Sequence, residues 1–399
     1  MRHIFAIMIA ALFLFYPSHG FTAVKEIVSE GAYNMGDGET PTVAESRALL
    51  NAKRIALEQA GTYVESYTKV ENMQVTEDEI KVLASGIMEV EILDKKRTVV
   101  GDGFRFWVKI KARVNPDNIK EMANKIKVKD KSVIEDYKKI QAAYDKSQKE
   151  IGELKKQLAQ AKGEKEKKQV EAKISNDERM FQANEWFDKG YQHDLNKDYD
   201  KAIEAYTSAI TLTPNFAIAY YNRGNAYYSK GQYDRAIENF NKMIAINPND
   251  ADAYYNRGIA YAKKGQYDRA IEDYNKAISI NPNYAKAYNN RGFAYDKKGQ
   301  YDRAIEDYNK AIALNPNDAD AYYNRGFAYA DKKQYDRAIK DYNKAIALNP
   351  NLALAYTNRG FLYLVKLGNK KKGCSDWKKA CELGDCRNYE LAKEKGDCR

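Results

Sequence analysis

Between residues 183 and 386 the apolar and polar positions recur with a period of 34. Set in register on a glycine, the copies align at Gly190, Gly224, Gly258, Gly292, Gly326 and Gly360. An aromatic residue stands four positions before each glycine: Trp186, Tyr220, Tyr254, Tyr288, Tyr322 and Tyr356. An alanine stands twelve positions after the first five (Ala202, Ala236, Ala270, Ala304, Ala338), and a proline closes each of these units (Pro214, Pro248, Pro282, Pro316, Pro350). The pattern predicts two helices per unit. Small Gly and Ala let the helices cross closely, the aromatic fills the gap beside them, and Pro, which cannot continue a helix, forces the turn to the next unit. No single unit buries its apolar faces alone, so neighbours must stack. The six units are 183–216, 217–250, 251–284, 285–318, 319–352 and 353–386.

These glycines, aromatics, alanines and prolines resemble the tetratricopeptide repeat family. The resemblance implies an α-solenoid whose first helices line a concave face, and protein partners bound there. Two residues before the glycine sits Asn222, Asn256, Asn290, Asn324 or Asn358, with Asp188 in the first unit. One residue before those Asn are Tyr221, Tyr255 and Tyr323; three after are Ile259, Phe293, Phe327 and Phe361. Helical spacing puts all of them on one face. Asn offers a donor and an acceptor, so it can pair with a peptide backbone. First helices about 8–10 Å apart against an advance of about 3.3 Å per extended residue would let each Asn grip roughly every third residue. The expected ligand is an extended protein or peptide segment, with aromatic pockets between the Asn; otherwise Asn is only the common surface choice there. Arg223, Arg257, Arg291, Arg325 and Arg359 point away from that face. They either pair within the scaffold, with carboxylates such as Asp273, Asp307 and Asp341, or bind anions.

Upstream the period changes. Residues 21–115 read as a compact α+β domain. VKEIVSEGAYNM reads as a strand. Thr40 and Pro41 open a helix whose apolar residues, Val43, Leu49, Leu50, Ile55, Ala56, Ala60 and Val64, have helical spacing. Thr76 and Glu79 form a capping box that starts a second helix. EVEILDKKRTVV and FRFWVKIKARV follow as a hairpin across Gly101-Asp102-Gly103. In the last strand Phe104, Phe106, Val108, Ile110, Ala112 and Val114 share one face, and Arg105, Trp107, Lys109, Lys111 and Arg113 the other. That basic face is either a surface for an acidic partner or an ordinary solvated one. EGAYNMGDGE followed by AESRALLNAKRIALEQAGTYVESYT resembles the N-terminal domain of flagellar assembly protein T and related small envelope lipoproteins. The likeness implies an envelope location and protein contact, not catalysis.

Residues 116–182 form a Lys-rich helical segment. Val133, Tyr137, Ile140, Tyr144, Ser147, Ile151, Leu154, Leu158 and Ala161 step alternately by four and three, a heptad seam that predicts a coiled coil. Either residues 133–161 join copies into a homo-oligomer or the stripe packs against a neighbouring domain. Gly163 reads as a break.

Composition narrows the chemistry. The first twenty residues, MRHIFAIMIAALFLFYPSHG, have a basic start, a short apolar run and small residues at 18 and 20, which predicts a secretory leader cleaved after Gly20. No Cys follows it, so a lipid anchor is not expected. The protein is then periplasmic or secreted. Its net charge of +10 points to peripheral contact with anionic envelope surfaces, or to nothing specific, rather than to nucleic acid. Without the leader one histidine remains, His193, and no phosphate loop or HExxH motif is present. No enzyme chemistry, metal or cofactor is expected. The four cysteines, Cys374, Cys381, Cys386 and Cys398, fall in the last 26 residues. Cys374 and Cys381, two turns apart on one helix, are about 10.5 Å apart and beyond bridging range. If 386–398 folds back as an antiparallel helix, nested pairs Cys381–Cys386 and Cys374–Cys398 fit best; a metal site is the rival. The arrangement resembles the stapled helix pairs of Sel1-like repeats, and residues 387–399 would cap the array.

The expected whole is mainly α: a small α+β domain, a long helical segment and a six-unit solenoid. Two functions suit it, a non-enzymatic scaffold in envelope assembly that binds protein segments, or a coiled-coil structural oligomer whose repeats pack on each other.

Overall fold

The computed structural model describes residues 24–398 apart from 71–72, 102, 120–122 and 124–131. The expected leader, Asp102 of the hairpin turn, and the side chains of Val133 and Tyr137 lie outside what is described. The chain forms two compact units that part between Lys197 and Asp198.

The first unit is built on a three-stranded antiparallel sheet of β1 (Lys25–Met35), β2 (Met88–Val100) and β3 (Gly103–Val114), in the order β1-β3-β2. Helix α1 (Pro41–Val70) packs on it. The approach is close. A Cβ on Gly31 would lie 2.2 Å from the backbone of Ala48 and Ala52, and Ser29 Oγ donates to the Ala52 carbonyl at 2.9 Å. Only a methyl fits between such backbones, so the buried stripe is Ala44, Ala48, Ala52, Ala56 and Ala60, all fully buried. Ile55, expected inside, is 42% exposed. The short helix α2 (Glu77–Ile87) opens with the Thr76–Glu79 capping box. On β3, Phe106, Val108, Ile110, Ala112 and Val114 face the core. Much of the opposite, basic face is neutralised by the flanking strands: Lys109 pairs with Glu30, Lys111 with Glu26, and Arg113 with Glu26 and Glu91.

Helices α3 (Ser132–Gln160) and α4 (Glu164–Leu195) form a hairpin that turns at Gly163, the N-cap of α4. This revises the expected oligomerisation through 133–161. Ile140, Tyr144, Ser147, Ile151, Leu158 and Ala161 are all buried within the chain. Ile151 and Leu158 cluster with Val170 and Ile174 of α4, Tyr144 meets the Phe181 ring edge-on at 5.6 Å, and polar Ser147 donates to Asp177. The following helix supplies the partner surface the heptads demanded, so the described part of the seam offers no stripe to a second copy. Helix α4 runs on without a break past residue 183, so the first helix of the first 34-residue copy belongs to this unit.

The second unit is a series of helical hairpins: α5 (Tyr199–Leu212), α6 (Ala217–Ser229) with α7 (Tyr233–Ile246), α8 (Ala251–Lys263) with α9 (Tyr267–Ile280), α10 (Ala285–Lys297) with α11 (Tyr301–Leu314), α12 (Ala319–Asp331) with α13 (Tyr335–Leu348), and α14 (Ala353–Phe361) with α15 (Lys370–Glu382). Within each hairpin the glycine lies on a ring of the second helix. A Cβ on Gly258 would come within 2.7 Å of Tyr274, and one on Gly326 within 2.9 Å of Tyr342. The gap beside the glycine is therefore filled by Phe240, Tyr274, Tyr308, Tyr342 and Trp377, not by the aromatics four residues before it. Those lie instead beneath the arginines, as Tyr254 does under Arg257 at 5.4 Å. In the last hairpin one extra residue is absorbed as a π-helical turn, Leu362–Lys366, between α14 and α15. A short helix, α16 (Arg387–Glu394), closes the chain. Cys374 is joined to Cys398 and Cys381 to Cys386, so no free thiol remains for a metal.

Candidate functional site

Adjacent hairpins in the second unit are tied by three kinds of lateral bond. At one end, Lys230, Lys264, Lys298 and Lys332 pair with Asp200, Asp234, Asp268 and Asp302 of the preceding copy. In the middle, Arg257 forks onto Asp273 of its own hairpin at 2.6 and 2.8 Å and reaches Asn241 of the preceding one at 2.6 Å. Arg291, Arg325 and Arg359 repeat this with Asp307, Asp341 and Asp376, and with Asn275, Asn309 and Asn343. The arginines are thus engaged within the scaffold. Burial pushes the Asp273 and Asp307 carboxyls up while their arginines pull them down. Arg223 meets neutral Asn239 and Thr207 instead. With no carboxylate to offset burial, its guanidinium is pushed down, where its counterparts are held up.

The third bond lies on the face of the first helices, and it revises the expected ladder. Asn256 Nδ2 donates to Tyr221 Oη at 2.8 Å and to Asn225 Oδ1 at 3.1 Å. Asn290 donates to Tyr255, and Asn358 to Tyr323, each at 3.0 Å. Asn324 donates to Asn289 at 3.2 Å. Asn222 is buried, and its amide nitrogen has no partner among the described residues. The asparagines clasp neighbouring hairpins rather than standing free for a peptide. The tyrosines are part of the same clasp: Tyr255 packs at 4.9 Å from Tyr284, and burial pushes its hydroxyl up to about 12. The sequence does not show this employment, because the hydroxyl that takes the Asn bond lies 35 residues away in the chain, on the adjacent first helix.

What the face leaves open is apolar and charged. Phe293 is 38% and Phe361 41% exposed, with Ile259 and Phe327 half-buried beside them. Leu354 and Val365 extend the exposed apolar surface at the last hairpin. Lys297 holds its ammonium over the Phe293 ring at 5.0 Å and the Phe327 ring at 5.8 Å. Asp296 and Asp331 stand on the same helices and were not singled out from the sequence; the signal was available, since the 34-residue register places Ala262 and Ala330 opposite Asp296. Among the described residues no group of His, Cys, Asp and Glu could hold a metal ion.

A series of similar helical hairpins with a glycine-on-ring contact in each defines the second unit as an α-helical repeat solenoid. Models described as TPR repeat match residues 195–231, 224–265 and 294–333, and models described as tetratricopeptide repeat match 251–284, 319–352, 273–306 and 341–382. Residues 195–382 carry tetratricopeptide repeats. Among solved structures, the chain is similar to MamA, with 32% identity over 43% of this chain and 94% of that one and a TM-score of 0.40. It is also similar to YrrB, described as a TPR protein with an unusual peptide-binding site, with 28% identity over 43% and 88% and a TM-score of 0.38. PilF of Pseudomonas aeruginosa matches at 15% identity over 53% and 98%, with a TM-score of 0.47. No curated protein matches the chain.

Proposed function

We propose that this protein is an exported, non-enzymatic scaffold that binds an extended protein segment on the face of its first helices, in assembly of the cell envelope. The observation that carries the binding reading is the row of large apolar side chains left open on that face, Phe293 and Phe361 above all. Exposed aromatics in a row cost solvation unless a partner covers them. The asparagine clasps set the spacing of the helices, and the aromatics between them are the contact surface. The envelope assignment rests on the leader-like first twenty residues and on the likeness of 21–115 to the N-terminal domain of flagellar assembly protein T and small envelope lipoproteins. The stapled end is of the kind found in Sel1-like repeats. The alternative, a coiled-coil oligomer, loses its interface to α4.

The test is photo-crosslinking in intact cells from a probe placed at residue 293, with mass spectrometry of the adducts, in the otherwise wild-type chain and in the double variant Leu354→Ser, Phe361→Ser. Both side chains are exposed, so the fold should survive. A defined extracytoplasmic protein joined to residue 293, and lost in the double variant, is the expected result. Adducts unchanged in the variant, or a chain that keeps its leader in the cytoplasm, would overturn the reading.

A further inference from the structure

We propose that Asp296 and Asp331, flanked by the rings of Phe293 and Phe327, form a subsite for a lysine or arginine side chain of the segment bound on the first-helix face. The proposal rests on the reading of that face as a protein-binding groove and names the chemistry of its partner.

Helical spacing places the four residues together. Asn290, Phe293 and Asp296 follow each other at three-residue steps on α10, and Asn324, Phe327 and Asp331 at three and four on α12. The two rings share one space, because a single ammonium, that of Lys297, lies over both. Asp296 is only 8% exposed, and its Oδ1 is buried with no hydrogen-bond partner. Neither Asp296 nor Asp331 forms an ion pair among the described residues. Burial, and after it the charge of Asp331, push the Asp296 carboxyl up to about 6.

The scaffold has no use for this arrangement. The copies before and after place Ala262 and Ala330 where Asp296 stands, and Lys263 and Lys297 occupy the register of Asp331. Neither register therefore requires an acid, and the copy with Ala262 and Lys263 lacks both. A buried carboxyl oxygen without a hydrogen bond costs stability, and sites that break a local rule at such a cost are where function concentrates. The cation now beside the pair is the chain's own Lys297, whose charge pulls both carboxyls down without forming an ion pair among the described residues, and a ligand cation would displace it. Two carboxylates on the helices that carry the two rings suit an ammonium or guanidinium, which a carboxylate holds by charge-assisted bonds and a ring by its quadrupole. A divalent metal requires more oxygens than the pair supplies.

The experiment pans a randomised linear peptide library on the full-length protein. The same library is panned on Asp296→Asn/Asp331→Asn, which keeps the side-chain shapes, and on Asp302→Asn, which removes one charge from the turn end of the array. Thermal melting verifies that each is folded. Wild type and Asp302→Asn should select peptides enriched in Lys or Arg beside apolar residues. The double variant should select apolar peptides without that enrichment and bind the wild-type consensus peptide about tenfold to a hundredfold more weakly. Lys297→Ala, which removes the resident ammonium, should bind the consensus peptide more tightly. Selection of apolar peptides with no basic enrichment by the wild type would overturn the subsite and leave the groove standing. Basic enrichment that persists in the double variant would place the cation elsewhere and overturn it too. Selection of nothing would overturn the groove itself, and the subsite with it.

Discussion

Both units hold arginines against buried carboxylates, and they do so in opposite ways. In the N-terminal unit one residue, Arg47, is wholly buried, bonds Asp177 at 2.6 Å and Ser147 at 3.1 Å, and lies 4.4 Å from the Phe181 ring. Its partners are 100 and 130 residues away. Nearby, Glu39 receives Lys155 at 2.6 Å and Tyr33 at 2.7 Å. This one network joins α1, α3 and α4. In the repeat array the same chemistry occurs four times, 16 or 17 residues apart, with side chains 17–19% exposed. A domain that folds back on itself concentrates its specificity in one dry cluster; an array distributes it, because each hairpin meets only its neighbours.

The largest effect should come from breaking the concentrated network. Arg47→Ala leaves Asp177 buried without its cation, which costs about 3–5 kcal/mol. Hydrogen exchange should show α3 and α4 losing protection while the hairpins from α8 onward keep theirs. A loss below about 1 kcal/mol would mean that the cluster is not what joins the hairpin to the sheet.

Breaking one copy of the distributed pattern should cost less. Arg291→Ala removes a fork to Asp307 and a bond to Asn275, worth about 1.5–3 kcal/mol. The added exchange should be confined to residues 251–314 and their immediate neighbours. A loss spread evenly over the whole array would show a cooperativity that nearest-neighbour stacking does not provide.

Asp296 sharpens the comparison from the other side, since here a member of the array has no partner. Its carboxyl is raised in the folded state to about 6 from an ordinary value of 3.8. A raised carboxyl contributes stability that is fully present below about 3.8 and is lost as pH rises through about 6. Wild type should therefore gain stability on acidification from pH 8 to 5. Asp296→Ala should be more stable by about 1 kcal/mol at pH 8, allowing for solvent screening, and the gain should vanish near pH 4. Melting curves of both proteins across this range decide it; a gain that grows toward acid would reverse the sign and the argument.

The smallest effect concerns the turns. Gly231, Gly265 and Gly299 adopt φ near +72, and the equivalent Lys333 adopts +61. A side chain there costs about 1 kcal/mol against glycine. Lys333→Gly should raise the unfolding free energy, read from denaturation curves, by roughly 0.5–1 kcal/mol, and Gly299→Lys should lower it by a similar amount.

The 34-residue register was legible because every contact that makes a hairpin is local: glycine to ring, alanine to helix, arginine to carboxylate sixteen residues on. The pairing of Arg257, Arg291 and Arg325 with Asp273, Asp307 and Asp341 could be read from that register. The fate of the asparagines could not, since an amide facing solvent and an amide facing a hydroxyl on the adjacent helix have the same sequence. Likewise the heptads from Ile140 to Ala161 announced an apolar stripe without naming its cover. The spacing of Val43, Ile55 and Ala60 shows a helix but not that its buried stripe is alanine from Ala44 to Ala60 with Ile55 outside it, because periodicity does not report how near the sheet comes.

Sequence alone thus determined the solenoid, its 34-residue register and the strand–helix order of the N-terminal unit. These follow from periodicity and from residues whose shape permits one local geometry. Tertiary structure decided which polar groups on the first-helix face are already taken. It turned the asparagines into clasps, gave the heptad seam to α4, buried Arg47 among Asp177, Ser147 and Glu39, and left Asp296 without a partner. The physical reason is the same in each case: a hydrogen bond or ion pair is satisfied by whatever stands within about 3 Å, and that neighbour is fixed only when distant segments have packed.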